Sequence, residues 1–231
     1  MPTYRKTAVI IGILFLFCTG ATLLSFAFTG AILESPDYIA NLAGNEGLII
    51  TGALLEFVWA ASCTGIAIGF YPVLRKHNRA LALGAVGFRT IEGVFVLAGT
   101  LALLALLSLS REFVSGALNT VSLQAVADSL LAARFWAHNV ILSLAFPVGA
   151  SMYYFVLYKS RLVPRWLSGW GLLGAALSLI ATVLSSYTGS FGMNSVNTYL
   201  NLPIGLNELV LAVWLIARGF DSSAAAYPAS E

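Results

Sequence analysis

Apolar residues fill six stretches of the chain, near residues 7–33, 46–74, 80–108, 134–158, 165–188 and 202–220, and polar residues gather between them. Spanning the hydrocarbon core of a bilayer takes roughly 20 helical residues, and each stretch reaches that length. Inside lipid every backbone N–H and C=O must be paired within the chain, so isolated spans of this kind are helices. The pattern predicts an all-α, polytopic membrane bundle of six transmembrane helices forming one domain over 1–220. The polar end DSSAAAYPASE, 221–231, reads as a disordered cytoplasmic tail.

Composition agrees with the pattern. Of 231 residues, 59% are hydrophobic and only 10% charged, where a soluble domain carries about 25% charged residues. A formal net charge of +2 gives no footprint for nucleic acid. Where the charges fall is more informative. Arg5 and Lys6 precede the first span, Arg75, Lys76 and Arg79 separate the second from the third, Lys159, Arg161 and Arg165 separate the fourth from the fifth, and Arg218 ends the sixth. The alternate intervals contain Glu34, Asp37, Glu46, Glu112 and Asp128. The positive-inside rule then expects both termini in the cytoplasm, with the lipid bilayer as the first partner. The first span runs from Ala8 to Phe28. A signal-peptide core is about 7–15 residues, so a retained helix is expected there.

Cys18 and Cys63 both lie in apolar runs, which excludes a disulfide framework and any Cys-x-x-Cys metal pair. No metal or cofactor is expected: there is no phosphate loop, dinucleotide fingerprint or nucleophile elbow. Small residues recur four apart at Ala61, Gly65 and Gly69 and at Gly171 and Ala175, faces that suit close helix packing within the chain or an oligomer seam. Tyr153, Tyr154, Tyr158, Trp166 and Trp170 are expected in an interfacial aromatic belt. Pro147 frees the Ser143 carbonyl and predicts a kink, and Pro203 is expected in the first turn of the last helix. The stretch 109–133 reads as a loop with a short surface helix, and the uncharged YTGSFGMNSVNTYLNLP as a wet turn.

Four ionisable residues fall well inside spans: Glu56, Arg89, Glu92 and Glu208. Arg134 and His138, one turn apart, stand near the end of the fourth span with Asn139 beside them. A charge at mid-helix costs about 2.5–3.5 kcal/mol to insert, so these residues are expected to face one another or water. Arg89 and Glu92, three apart, share a face of the third helix. Asn201, Gly205 and Glu208 align on the sixth and suggest a polar and small-residue track to the outer surface. The expected arrangement is one funnel open to the outside, with Arg89–Glu92 as its floor and Arg89 alone balancing three carboxylates. Three functions fit it. The leading one is binding or proton-linked transport of a small or lipophilic molecule. The others are an intramembrane enzyme using a glutamate as acid or base, and a structural ion-pair network without a ligand.

The stretches GALLEFVWA, IAIGFYPVLRKHN, LGAVGFRTIEGV, YKSRLVPRWLSGWG and LPIGLNELVLAVWLIARGF together resemble an uncharacterised bacterial family of small multi-pass membrane proteins, labelled only as a domain of unknown function. The resemblance implies the fold type and sets Glu56, Arg89, Glu92 and Glu208 within family-like motifs. It implies no activity.

Overall fold

The structure, a computed structural model, describes residues 2–116, 120–191, 195–221 and 223. They form α1 (Pro2–Leu33), a short α2 (Tyr38–Gly44), α3 (Glu46–Leu74), α4 (Arg79–Ser115) and α5 (Thr120–Trp136). A π-helical turn (Ala137–Leu142) leads into α6 (Ser143–Ser160), followed by α7 (Arg165–Thr188) and α8 (Val196–Ala217). Six helices are long and apolar enough to cross a membrane: α1, α3, α4, the α5–π–α6 run, α7 and α8. The described chain has no strand. The molecule is thus an all-α bundle and a multi-pass membrane protein. Most of the tail expected to be disordered lies outside the described residues.

Each span packs on the next in sequence, and α8 returns to α1, so the six close into a ring. Arg5 joins the chain ends. Its Nη1 donates to the Leu215 carbonyl at 3.1 Å and its Nη2 to that of Ile216 at 2.6 Å. These are last-turn carbonyls that the helix itself leaves without donors. The start of α1 and the end of α8 therefore sit at one end of the bundle, the basic end, where Arg75, Arg79, Arg161, Arg165 and Arg218 also flank helix termini. Glu34, Asp37, Glu46 and Glu112 mark the acidic end.

Helix α4 is the longest helix and its ends are well defined. The Asn78 side chain accepts from the Leu81 N–H at 2.9 Å at the start, and Gly116, at φ 68°, stops the helix in a left-handed turn. At 37 residues it is about 55 Å long, against a hydrocarbon core of about 30 Å. Its surplus projects at the acidic end, where Leu103, Leu106 and Leu107 pack with Tyr38, Ile39 and Leu42 of α2 and Ala127 of α5. The Tyr38 hydroxyl donates to Asp128 at 2.6 Å. Burial, then the Asp128 carboxylate, raises the Tyr38 phenol well above its ordinary range, so the bond keeps its proton across neutral pH. The stretch expected as a loop with a surface helix is therefore mostly the end of α4 and a packed α5.

Three other expectations change. Pro203 is not in a first turn: α8 begins at Val196 behind Ser195, whose hydroxyl accepts from the Thr198 N–H at 3.4 Å, which leaves Pro203 inside the helix. That earlier start, with α7 running to Thr188, makes most of the supposed wet turn helical; residues 192–194 of it lie outside the described set. Tyr153 and Tyr154 are fully buried in the main core, with Tyr153 stacked on Phe70 at 5.2 Å, and do not form part of a belt. Pro147 does free the Ser143 carbonyl, which instead accepts from the Thr182 hydroxyl of α7 at 3.3 Å. The small-residue faces are filled from within the chain. A Cβ on Gly69 would meet Ile11 of α1 at 2.8 Å, and one on Gly171 would meet Tyr154 of α6 at 2.3 Å.

Candidate functional site

The buried ionisable residues of the membrane region form two centres. In the acidic half, Ser25 and Thr29 lie one turn apart on the buried face of α1, Glu56 faces them from α3, Thr100 approaches from α4 and Arg134 from α5. Glu56 is 2% exposed and Arg134 is 8% exposed. The Glu56 carboxylate accepts from Arg134 at both oxygens: Nη2 bonds to Oε1, and Nη1 reaches Oε2 at 3.1 Å. The Ser25 hydroxyl adds a bond to Oε1 at 3.2 Å and the Thr100 hydroxyl one to Oε2 at 2.7 Å. Arg134 Nη1 also donates to the Gly99 carbonyl at 2.7 Å. Buried ions survive only when paired and hydrogen-bonded, and this pair meets both conditions.

The expected single cluster, with one arginine for three carboxylates, is thereby corrected. Hydropathy puts Arg134 at the edge of a span. In the structure it sits within a continuous helical run, Val121–Ser160, that carries its side chain inward to Glu56. The π turn that follows widens the helix by one residue per turn, an irregularity often found at functional sites. It places His138 against α4. The ring Nε2 is 3.1 Å from the Val96 carbonyl, which can only accept, so Nε2 carries the proton. Trp59 meets the same ring edge-on at 5.7 Å. Asn139 donates to the Phe135 carbonyl at 3.1 Å.

Gly99 makes room for this arrangement. A Cβ there would lie 2.1 Å from His138 Nε2. Gly99→Ala must displace the imidazole and is expected to cost about 1–3 kcal/mol of stability, as overpacking does. A thermal unfolding midpoint equal to that of the unsubstituted protein would show that the histidine has freedom to move.

The second centre lies toward the basic end. On α3 it is marked by Cys63, seven positions beyond Glu56, or about 10 Å along the axis. Here Arg89 Nη1 stands 2.9 Å from Glu92 Oε2, and Arg89 Nε donates to the Cys63 carbonyl at 3.4 Å. The guanidinium carbon is 5.1 Å from the centre of the Phe146 ring. Nη1, Nη2 and Oε2 are nevertheless buried without hydrogen-bond geometry to any described partner. Glu208 of α8 accepts from the Tyr153 hydroxyl at 3.3 Å and adds a second carboxylate to the neighbourhood of Arg89. Asn201 bonds to Ser178 at 2.6 Å and to the Asn197 carbonyl at 2.8 Å, while Gly205 is exposed with nothing near it. Asn201 and Glu208 thus make their hydrogen bonds to different partners.

A cavity of about 500 Å³ occupies the acidic half between α1, α3 and the α5–π–α6 span. Glu56, Arg134, His138 and Asn139 supply its polar wall. Phe26, Leu33, Trp59, Leu131, Phe135 and Leu142 supply apolar walls, and Glu34 stands at the acidic end. Arg89, Glu92 and Glu208 do not line it. The hydroxyl protons of Thr22, Ser25, Thr29 and Ser143 are directed to acceptors within the chain. The arrangement can hold a polar head over a fixed ion pair and bury an apolar body. No three His, Cys, Asp or Glu side chains converge as a metal site among the described residues.

Sequence reasoning missed Ser25, Thr100 and Gly99. Thr22, Ser25 and Thr29 recur at helical spacing within an apolar run, a polar stripe that could have identified the inward face of α1. A lone glycine such as Gly99 gives no comparable signal.

The sequence model of a domain of unknown function, DUF4386, matches residues 10–219. No curated protein and no solved structure matches the chain.

Proposed function

The chain belongs to the DUF4386 family of unknown function, and on that premise we propose that it binds a small amphipathic or lipophilic molecule in the cavity lined by Glu56 and Arg134. The observation that carries this reading is the cavity itself. It is mostly apolar, about 500 Å³, and carries a buried ion pair in its wall, which is the usual make-up of a small-molecule pocket. The positive-inside rule assigns the basic end to the cytoplasm of a bacterial inner membrane, which makes this cavity outward-facing. Transport is the finer form of the proposal. Its support is the second centre, where Glu92 and Glu208 share the under-bonded Arg89 and are the candidate proton carriers. The enzymatic alternative has less support, because four donors already occupy the oxygens of Glu56.

The test uses purified protein in nanodiscs and a brominated medium-chain alcohol as quencher of Trp59 fluorescence. The protein should show a saturable quenching component above the linear background of partition into lipid. Thr22→Phe, which fills the cavity from α1, should weaken that component at least tenfold. Identical, non-saturating curves for both proteins would remove the binding proposal.

A further inference from the structure

A second cavity, of about 620 Å³, opens at the basic end between the α6–α7 connection and the end of α8. Arg161, Arg165 and Arg218 line it, together with Trp214 and Phe220. The one carboxylate in the lining, Asp221, accepts at Oδ1 from the Ser223 N–H at 2.8 Å and from its hydroxyl at 2.5 Å. Pro164 caps α7 here, so the first N–H groups of that helix add their partial positive charge to the same space. The carbonyls ending α8, which would oppose an anion, are covered by Arg5.

Two further features point to the kind of anion. An apolar groove of about 390 Å³ runs along the outer face of α8 past Leu209, Val210 and Val213, and it shares Trp214 and Arg218 with the basic cavity. A single molecule with a charged head and an apolar tail would occupy both. In addition, Arg161 is held at φ 58°, and it is the only non-glycine with positive φ among the described residues. Glycine adopts that left-handed turn without steric cost, and it is the usual residue after a helix end. An arginine there suggests a side chain kept for its charge.

From the joined cavity and groove we propose that the basic end is a binding site for an anionic phospholipid. Its phosphate lies among Arg161, Arg165 and Arg218, and an acyl chain lies along α8. Arginine forks bind phosphate oxygens in pairs, and basic pockets at the cytoplasmic ends of spans suit such headgroups. This site is independent of the cavity lined by Glu56 and Arg134.

Native mass spectrometry of delipidated protein in a neutral detergent, titrated with phosphatidylglycerol or phosphatidylcholine of equal chain length, tests the idea. The expected result is at least a tenfold preference for phosphatidylglycerol. Arg161→Gly should keep or raise the thermal midpoint measured without lipid, yet lose most of that preference. Arg218→Gln, at an exposed helix end, should lose it too and covers the case in which Arg161→Gly fails to fold. Equal binding of the two lipids, or a preference unchanged in a folded variant, overturns the proposal. Glycerophosphate supplies the remaining arm: if it binds as tightly as phosphatidylglycerol, the site takes soluble phosphate and the lipid assignment is wrong.

Discussion

Arg134→Met is expected to lower the stability of the protein by about 3–5 kcal/mol, because it leaves the Glu56 carboxylate buried without its counter-charge. Glu56 would keep only the Ser25 and Thr100 hydroxyls as donors, too few to replace a bidentate guanidinium. The companion change Glu56→Leu should be similarly costly, since it strands the buried cation. Combining the two removes both charges, and the double variant should recover most of the loss. Recovery should be incomplete, because the Ser25 hydroxyl and the Gly99 carbonyl each lose a partner. Equilibrium unfolding of the four proteins in one detergent measures the cycle. If the single Arg134→Met variant loses less than about 1 kcal/mol, a typical figure for an exposed pair, then Glu56 is not held in a dry site.

This pair also shows what the sequence revealed and what it hid. The spans and the basic end were legible because each depends on one property summed over many residues: hydropathy over about 20 positions, or repeated Lys and Arg at alternate intervals. Glu56, Arg89, Glu92 and Glu208 were conspicuous for the same reason, as charges against an apolar background. Their grouping was not legible. It depends on which helices close the ring and on the π turn at Ala137–Leu142, and no local pattern encodes either. Arg134 therefore reads as a boundary residue, although its side chain reaches Glu56. Tyr153 and Tyr154 read as interfacial because aromatic residues near span ends usually are; packing against Phe15 and Phe70 instead buries Tyr153 beside Glu208, and Tyr154 lies buried against Tyr153.

The second centre should respond differently to the same treatment. Arg89→Met alone is expected to cost about 3–5 kcal/mol by stranding Glu92. Arg89→Met combined with Glu92→Leu should be neutral or more stable by about 1–4 kcal/mol, as found when buried pairs give way to apolar residues of similar volume. The difference from the outer pair follows from the bonding. Glu56 and Arg134 have their hydrogen-bonding groups largely met, whereas Arg89 Nη1 and Nη2 and Glu92 Oε2 are not. Removing Arg89 and Glu92 therefore gives up few hydrogen bonds and relieves the desolvation of two ions, at the cost of leaving Glu208 with only the Tyr153 hydroxyl. A double variant clearly less stable than the unsubstituted protein would mean that the pair is a structural strut. A stabilised one would mean that Arg89 and Glu92 are retained at a cost to the fold. Cavity binding and vesicle transport assays on that stabilised variant then separate the two centres. The proposed division of labour requires the quencher to bind as before, because neither residue lines the cavity, and requires proton-linked movement to cease.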